Sequence, residues 1–378
     1  MLKCVKARWS EKNLKAIILV GGKATRLLPL TTNTPKSLVP VLNVPMLAHL
    51  INHLKEYDIR DIILAQGHLA GSIEGYFGDG SRLGVSITHS YENVPLGSAG
   101  AVKNAEKLLD STFLVVNSDI FSDMDFTAML DLHRTGKAKV TIAVTPVNDP
   151  TKYGLVEADN HGKVGRFLEK PKPEEVTTNM INAGAWFVEA DVLSMVPPAT
   201  NYSFERNIFP QLLALGKPVY AYSSTGYWID MGTIESYLQL HRDLLEGKCR
   251  HYKVSSDEGI IASKDNRIPP TVKITGKILV APGCTFGSHA RITGPVVVGP
   301  GCTLDDDIRV ENSVIWHDVR IMRGASILDS VIADNCLLGA GCIVENSVIG
   351  DHVSIGSDVS VPPGSKIEPG TKIENPKP

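Results

Sequence analysis

The sequence predicts an α/β fold, a Rossmann-like doubly wound mixed sheet, followed by a left-handed parallel β-helix. In the first part of the chain, short aliphatic runs alternate with segments of helical period, which is typical of strands joined by crossover helices. From Ile274 onward, an apolar residue recurs every six positions, a spacing that neither an amphipathic helix nor a simple strand produces. The 378 residues also exceed what one hydrophobic core usually organises, so at least two domains are expected.

The elements of the first domain follow from the apolar pattern. The aliphatic run 15–20 ends in Gly21-Gly22 and predicts a buried strand that leads into a loop. Pro45 begins a helix. Further strands are predicted at 59–65, 113–117 and 138–145, and further helices at 99–109, 126–135 and 233–246. After Tyr153, a turn at 159–162 and the alternating run 181–188 predict a subsidiary sheet of shorter strands.

The six-residue repeat predicts coils of short stacked strands. A first series is Ile274, Val280, Phe286, Ile292, Val298, Leu304 and Val310. A second series in a shifted phase is Val319, Ala325, Val331, Leu337, Ile343, Ile349, Ile355, Val361, Ile367 and Ile373. The predicted division is therefore an N-terminal extension at 1–13, an α/β domain at 14–247, a polar linker at 248–270 and the β-helix at 271–378. Because the coils are aliphatic and present flat faces, we expect the β-helix to organise a homo-oligomer.

Composition limits the partners and the compartment. The net charge of -3 provides no general basic field for nucleic acid or for an anionic membrane surface, so any phosphate binding must be local. Residues 1–13 lack the apolar core of a signal peptide, and the chain has no run of eighteen apolar residues, which predicts a cytoplasmic protein without a membrane span. The six cysteines lack CxxC pairs and are expected to be buried small side chains.

The segment from Gly21 to Lys36 combines a strand end, a glycine turn and two cations. Glycines let backbone N–H groups approach phosphate oxygens, and Arg26 and Lys36 can neutralise the charge of a triphosphate. The alternative is an ordinary turn between a strand and a helix with charged residues on its surface. The Gly-Gly pair alone does not separate these interpretations.

The resemblance to a known family is specific. Residues 21–31, GGKATRLLPLT, followed by Thr34-Pro35-Lys36, resemble the GGxGTRLxPLT…PK signature of the sugar nucleotidyltransferases. Later segments match in order: 95–100 (PLGSAG), 117–119 (NSD), 169–171 (EKP), 182–184 (NAG) and 228–233 (WIDMGT). The chain most resembles bacterial mannose-1-phosphate guanylyltransferases with a β-helical tail. The first domain would then be the catalytic domain.

The resemblance implies a role for each matched residue. Asp119, beyond a predicted strand, and Asp230 would bind Mg²⁺ and act in catalysis with Arg26 and Lys36. The nucleotide would contact Gly21, Gly22, Thr25, Leu96, Gly97 and Ser98, and the sugar phosphate would contact Gly154, Glu169, Lys170 and Asn182. Without the resemblance, an acid at a strand end is more often a helix cap or a surface residue.

The implied reaction joins a nucleoside triphosphate to a sugar 1-phosphate and releases pyrophosphate, with GTP and mannose 1-phosphate as the first expectation. UTP or dTTP with glucose 1-phosphate is the alternative pair. Ala24 stands where the family usually has glycine, which slightly favours a non-catalytic sensor of nucleotide sugars. Acyl transfer by the β-helix, with His289, His317 or His352 as a base, is a third possibility.

Overall fold

The computed structural model describes residues 14–22, 24–67, 69–250, 252 and 260–375. The predicted N-terminal extension, with Cys4, lies outside these residues. The first domain has six α-helices in its described part: α1 (Met46–Glu56), α2 (Ala70–Phe77), α3 (Gly97–Asn104), α4 (Phe126–Thr135), α5 (Phe209–Ala214) and α6 (Ile234–Leu245). Its strands are β1 (Lys15–Leu19), β2 (Pro40–Val41), β3 (Val44–Pro45), β4 (Asp61–Gln66), β5 (Ser86–Tyr91), β6 (Phe113–Asn117), β7 (Ile120–Ser122), β8 (Val140–Pro146), β9 (Gly154–Ala158), β10 (Val164–Glu169), β11 (Met180–Val188), β12 (Val219–Ser223) and β13 (Trp228–Asp230).

A nine-stranded mixed sheet forms the centre of this domain. Its main path is β10-β9-β11-β6-β1-β4-β5, and β8 joins β11 to β12. The segment from β6 to β5 is parallel, whereas β11 runs antiparallel to β6, β8 and β9. Side chains alternate between two cores: Ile17 packs into one, and Ala16 and Ile18 pack into the other. Both faces are therefore covered, as expected for a doubly wound sheet.

The prediction of a separate subsidiary sheet after Tyr153 is wrong. The strand β11 has nine residues, long enough to pair with β9 near its start, through Ile181, and with β6 near its end, through residues 185–188. The shorter strands therefore extend the main sheet. A separate two-stranded ribbon does exist, but it is formed by β7 and β13.

Three parallel sheets build the β-helix, which confirms the predicted class of fold. We name the seven-stranded one the docking sheet; it comprises β14 (Ile260–Ala262), β16 (Ile278–Val280), β19 (Val296–Val298), β22 (Val314–Ile315), β25 (Val331–Ile332), β28 (Val348–Ile349) and β31 (Lys366–Ile367). The second sheet comprises β15 (Lys273–Thr275), β18 (Arg291–Thr293), β21 (Arg309–Glu311), β24 (Ser326–Leu328), β27 (Ile343–Glu345) and β30 (Ser360–Val361). The third comprises β17 (Thr285–Phe286), β20 (Thr303–Leu304), β23 (Arg320–Ile321), β26 (Leu337–Leu338), β29 (Ser354–Ile355) and β32 (Lys372–Ile373).

The prediction that the second series keeps a uniform structural repeat of six residues is wrong for the middle coils of the β-helix. The repeat from Val297 to its partner Val314 is 17 residues, whereas the repeat from Ile278 to Val296 is 18. Each shortened coil has one residue fewer at the corner between the second sheet and the docking sheet. A ladder forms there, in which the backbone N–H of Ser330 donates to Ser313 Oγ and that of Ser347 donates to Ser330 Oγ. Leu337 and Ile343 consequently point outward, with 41% and 43% of their surface exposed.

The β-helix begins earlier than predicted. The linker was expected to extend to residue 270, yet β14 already pairs with β16, and Arg267 bridges to Thr285. Residues 251 and 253–259 lie outside the described part, while Cys249 is buried with the first domain. All five described cysteines are buried, as expected. Within the described ranges, no helix is long and apolar enough to cross a bilayer.

Candidate active site

Loops at the carboxyl ends of β1, β5 and β6 border a large cleft of about 930 Å³, which we name the nucleotide cavity. Open α/β sheets bind ligands at this edge. The predicted site residues that line the nucleotide cavity are Gly21, Gly22, Thr25, Arg26, Lys36, Gly97, Ser98 and Asp119. Residues far apart in the sequence therefore meet here because the strands that carry them are neighbours.

The loop of residues 24–39, named the signature loop below, begins with a left-handed residue. Ala24 has φ 43° and ψ 44°, a conformation that favours glycine, so the Cβ of alanine does meet the strain expected for this position. The Thr31 hydroxyl donates to the carbonyl of Ala24 at 3.0 Å, and the N–H of Leu27 donates to the same carbonyl at 3.0 Å. These bonds hold Ala24 in the turn.

Two carboxylates and one ammonium group form the charged centre of the site. Lys36 Nζ lies 2.7 Å from Asp119 Oδ2 and 3.9 Å from Asp230 Oδ1. Asp119 follows β6, and Asp230 ends β13, which pairs with β7 so that Asp230 lies opposite Ile120. The N–H of Met231 donates to the carbonyl of Asp119 at 3.0 Å and fixes this approach. The ribbon of β7 and β13 thus brings the two acids together.

Asp230 has an unfavourable environment for a charged carboxylate. Burial and the charge of Asp119 raise the pKa of Asp230, against the opposing effect of Lys36 and Arg26. The Oδ1 atom of Asp230 is buried and accepts no hydrogen bond from the described residues. A buried carboxylate oxygen without a donor is costly, and a divalent cation would satisfy it.

A smaller cavity of about 140 Å³ adjoins the nucleotide cavity, with which it shares Asn117 and Asp119. We name it the sugar cavity. Three predicted sugar-phosphate residues, Gly154, Glu169 and Asn182, line it together with Asp230. Asp119 therefore lies at the junction between a space large enough for a nucleotide and a space suited to a smaller polar group, with Lys36 on the side of the larger space and Asp230 on the side of the smaller one.

Gly154 and Glu169 lie opposite each other in the antiparallel pair β9 and β10. A Cβ on Gly154 would come within 2.5 Å of Phe167 Cζ and 2.9 Å of Glu169 Oε2, so only glycine leaves room here. Burial and the negative charge of Glu205 raise the pKa of Glu169, while Lys170 and Arg206 oppose that shift. Glu169 is therefore a half-buried acceptor at the wall of the sugar cavity.

Asn182 lies at an irregularity in β11, where the register with β8 shifts between Asn182 and Trp186. Its Oδ1 accepts from Trp186 Nε1 at 2.8 Å and from the N–H of Gly184 at 3.1 Å. Gly184 has φ +80°, and a Cβ there would approach Ile120 to 2.8 Å. The bulge thus fixes the amide of Asn182, whose NH₂ group remains available to a ligand.

Three predicted residues differ from a simple contact role. Leu96 is buried and lines neither cavity, although its N–H donates to Glu92 Oε2 at 2.9 Å. Ser98 lines the nucleotide cavity, but its hydroxyl donates to Glu205 Oε2 at 2.7 Å. Lys170 is exposed and lines neither cavity.

The structure also adds residues that the sequence did not indicate. Glu92 lines the nucleotide cavity, and burial raises its pKa against the lowering effect of the Leu96 N–H bond. It directly follows β5, so the strand-end argument used for Asp119 also applied to it. Glu205 lines the sugar cavity from a π-helix, Phe204–Ile208, and no sequence signal pointed to it. The remaining residues that line that cavity are Asn117, Ile120, Lys152, Tyr153, Gly184 and Trp228.

The histidines considered for acyl transfer lie in turns of the β-helix. His317 Nε2 is 2.9 Å from Asp334 Oδ2, and its Nδ1 is 3.2 Å from Asp318 Oδ2. Burial raises the pKa of Asp334 to about 6. These contacts give His317 one carboxylate partner beside it on its own coil and one on the next coil, as expected for a structural ladder.

An α/β domain with a glycine turn, two cations and a carboxylate pair beside two adjoining cavities, joined to a β-helix, is the arrangement expected of a nucleotide-transferring enzyme of the doubly wound class. Comparison with known families agrees: the nucleotidyl transferase family model matches residues 15–247, and the model of the GMPPB C-terminal domain matches residues 274–376. The chain belongs to the nucleotidyl transferase family.

Similar proteins cover most of the chain. The mannose-1-phosphate guanylyltransferase of Mycobacterium tuberculosis is 37% identical over 73% of this chain and 77% of its own length. The UTP--glucose-1-phosphate uridylyltransferase of a Synechocystis strain is 32% identical over 84% of this chain and 87% of its own length. A crystal structure of a putative glucose-1-phosphate thymidylyltransferase from Bacillus anthracis is 27% identical, with a TM-score of 0.56, over 60% of this chain and 94% of its own.

Proposed function

We propose that the protein joins GTP to mannose 1-phosphate, giving GDP-mannose and pyrophosphate. An oxygen of the sugar phosphate attacks the α-phosphorus of GTP, and the bond from that phosphorus to the oxygen bridging the β-phosphate breaks. The observation that carries this proposal is the position of Asp119, Asp230 and Lys36 at the junction of the two cavities. Relatives named mannose-1-phosphate guanylyltransferase support the substrate pair.

The carboxylate pair fits a divalent cation, and we assign Mg²⁺ to Asp119 and Asp230. Mg²⁺ prefers oxygen ligands and usually combines one or two carboxylates with phosphate oxygens and water. The Oδ1 atom of Asp230 accepts no hydrogen bond from the described residues, which supports this assignment. When bound, Mg²⁺ would neutralise charge on the transferring phosphoryl group and on the leaving pyrophosphate.

The other residues of the nucleotide cavity position the triphosphate. Arg26 and Lys36 place two positive charges beside the cavity, and the backbone of Gly21, Gly22 and Thr25 can approach phosphate oxygens closely. Because no covalent intermediate is needed, position and charge suffice to accelerate the attack. Gly97 and Ser98 then border the base and the ribose, and Leu96 acts through its bond to Glu92.

The sugar cavity orients the attacking phosphate. Glu169 is placed to accept hydrogen bonds from sugar hydroxyl groups, and Asn182 can donate to them. Gly154 leaves the space that these contacts require. We assign Lys170 to the sugar phosphate; its exposed side chain would have to turn toward the cavity when the substrate binds.

Glu92 offers a physical basis for choosing guanine. The guanine edge presents two adjacent donors, the N1–H and the N2 amino group, and a carboxylate can accept both in a bidentate pair. Uracil and thymine offer one donor, the N3–H, between two carbonyl oxygens. These oxygens and a carboxylate repel each other. Because Glu92 is half-buried, leaving it unpaired would be costly, so the site would discriminate against those bases.

UTP with glucose 1-phosphate is the second candidate, because the Synechocystis relative is named for that pair and the match covers 87% of that relative's length. Measuring kcat/KM for GTP, UTP, dTTP and ATP with each sugar phosphate distinguishes the two. We expect GTP with mannose 1-phosphate to exceed every other pair by about tenfold or more, which corresponds to about 1.4 kcal/mol. A preference of that size for another pair would replace the substrates and leave the reaction class intact.

We also propose a homo-oligomer that uses the second and third sheets of the β-helix. The docking sheet packs against the same chain's first domain and is not available to another subunit. Leu337 and Ile343 are exposed on the other two sheets and suit an apolar contact. Light scattering on Leu337→Glu should show a smaller assembly than wild type. The buried thiols of Cys284, Cys302, Cys336 and Cys342 are consistent with a reducing compartment, so we place the enzyme in the cytoplasm.

A further inference from the structure

The underside of the signature loop rests on the β-helix. Leu27, Leu30 and Val39 from the loop are fully buried in one cluster with outward-facing residues of the docking sheet. Val297, Val314, Val331 and Val348 come from the docking sheet, and Trp316 and Ala333 directly follow two of its strands. The residues that carry the phosphate-binding cations therefore share a hydrophobic core with a separate domain.

A buried chain of two hydrogen bonds crosses this interface. Trp316 Nε1–H donates to the hydroxyl of Tyr237 at 3.0 Å, and that hydroxyl donates to the carbonyl of Pro40 at 2.6 Å. Tyr237 is fully buried, and Trp316 is 2% exposed. Each polar group has its partner only while the β-helix, α6 and Pro40 stay in place, because water cannot replace a lost bond here.

Further polar contacts hold the loop at its edges. The Thr32 hydroxyl donates to Glu368 Oε2 at 3.5 Å. Beyond the loop, Asn43 Nδ2 donates to the carbonyl of Val298 at 3.0 Å. These contacts come from separate coils of the β-helix, so they limit tilting of the loop as well as sliding.

The hydrogen-bonded chain is close to the catalytic centre along the backbone. Lys36 is the first residue of a 3₁₀ turn, and its carbonyl accepts a hydrogen bond from the N–H of Val39 at 3.2 Å. Pro40 directly follows Val39. On the other side, Tyr237 lies in the first turns of α6, which starts just after Asp230, and its N–H donates to the carbonyl of Thr233. One buried hydroxyl thus connects the backbone segments that carry Lys36 and Asp230.

We infer that the β-helix positions the phosphate-binding machinery, and that Tyr237 and Trp316 are positioning residues that act through Lys36. The inference rests on the proposed transfer reaction. Transfer is sensitive to the placement of charge, since a displacement of about 1 Å far from the reacting atoms can cost a large factor in rate. The β-helix is therefore part of the apparatus that sets the turnover rate.

The first test uses the full-length protein without substrates. Tyr237→Phe removes the hydroxyl and keeps the ring, and Trp316→Phe removes the donor at the other end of the chain. Tyr227→Phe is the matched control, because it removes a hydroxyl that donates to Asp243 of α6 at 2.9 Å and that forms no hydrogen bond with the signature loop, although its ring packs against the same cluster. We expect faster amide hydrogen exchange over residues 36–41 in the first two variants and unchanged exchange there in the control.

The second test measures steady-state kinetics. We expect Tyr237→Phe and Trp316→Phe to lower kcat by about tenfold and to leave KM for mannose 1-phosphate within about twofold. In a Lys36→Ala background, Tyr237→Phe should have no further effect on kcat, because its influence passes through the missing ammonium group. An equal effect in both backgrounds, or exchange and kcat equal to those of Tyr227→Phe, would overturn the inference. Because exchange needs no substrate, it tests the inference even if the wild-type protein makes no pyrophosphate, which would refute the proposed function alone.

Discussion

The two halves of the cleft are held in different ways. The sugar cavity is built on antiparallel strands of the main sheet, where Gly154 faces Glu169 across a backbone ladder and Asn182 is fixed by its own strand. The nucleotide cavity depends on the signature loop, which has little regular structure and rests on the docking sheet. Local strand pairing therefore holds one cavity in place, whereas long-range packing holds the other.

This comparison also separates the kinetic parameters. Changes in β9, β10 or β11 should act on the sugar phosphate, and changes around the signature loop should act on the triphosphate and on turnover. The carboxylate pair belongs to both halves, so its loss should affect everything.

Replacing either shared acid should abolish most turnover. Asp119→Asn or Asp230→Asn removes a metal ligand, and lost charge stabilisation of several kcal/mol corresponds to a fall in kcat of about a thousandfold or more. The measurement is pyrophosphate release at saturating substrates over a range of Mg²⁺ concentrations. Asp131→Asn, an exposed acid on α4, is the control. Near-normal turnover of both variants at limiting Mg²⁺ would exclude this pair of acids as the metal site.

Removing a cation of the signature loop should affect the nucleotide half alone. Lys36→Ala and Arg26→Ala should lower kcat by about a hundredfold and raise KM for GTP, because each deletes a charge beside the phosphates. Mannose 1-phosphate KM should stay within about threefold. Melting temperature, measured in parallel, should change little. If either variant kept both kcat and KM for GTP, its assigned role would be wrong.

Glu169→Gln should show the opposite pattern. The substitution keeps the size of the side chain and weakens its hydrogen bonds to sugar hydroxyls, so KM for mannose 1-phosphate should rise by about tenfold or more. KM for GTP should not change beyond about twofold. Glu157→Gln, on the neighbouring strand and outside the cavity, is the control. A larger effect on GTP than on the sugar phosphate would contradict the division into two halves.

The base contact should depend on pH. Glu92 must be ionised to accept from guanine, and burial raises its pKa, so falling pH should protonate it and raise KM for GTP earlier than for an ordinary glutamate. Glu92→Gln should lose this acid dependence and reduce the preference for GTP over UTP by about tenfold. KM profiles from neutral pH into the acid range would measure both. Parallel profiles in the two proteins would exclude Glu92 as the base contact.

The smallest expected effect is at Ala24. Glycine adopts the left-handed conformation without strain, while its greater freedom in the unfolded chain costs stability, so Ala24→Gly should change the free energy of unfolding by less than about 1 kcal/mol. We expect kcat to change by less than about threefold. Thermal unfolding and steady-state rates test this. A large rise in kcat would mean that Ala24 restrains the loop.

Strong local patterns made much of the fold predictable. The strand ending at Asn117 and the helix over 126–135 agree with the structure, because their apolar periods are clear and their ends have definite signals. The place of β9, β10 and β11 in the main sheet was not predictable, since pairing between distant strands leaves no trace in a local pattern. The shortened coils did leave one: the sequence ENSVI recurs at 311–315 and 345–349, with LDSVI at 328–332, and shows the 17-residue spacing.

Predictability of the site followed the same rule. Residues at strand ends or in dense motifs, such as Lys36 and Asp119, were indicated by their positions and by resemblance. Glu205 could not be indicated, because a π-helix turn brings it to the sugar cavity from a segment without any motif. The contact of the signature loop with the docking sheet was likewise invisible, since it needs the relative placement of two domains.

We expect this site to transfer the guanylyl group of GTP, which is the α-phosphate with its guanosine, to mannose 1-phosphate. The direct measurement uses two preparations of GTP, radiolabelled at the α-phosphorus or at the γ-phosphorus, incubated with the protein, Mg²⁺ and mannose 1-phosphate. Label from the α-position should appear in GDP-mannose, and label from the γ-position should appear in pyrophosphate in equal amount. Transfer of γ-label to the sugar would contradict the claim. Tight binding of GTP and GDP-mannose without any redistribution of label would also contradict it and would make the protein a sensor.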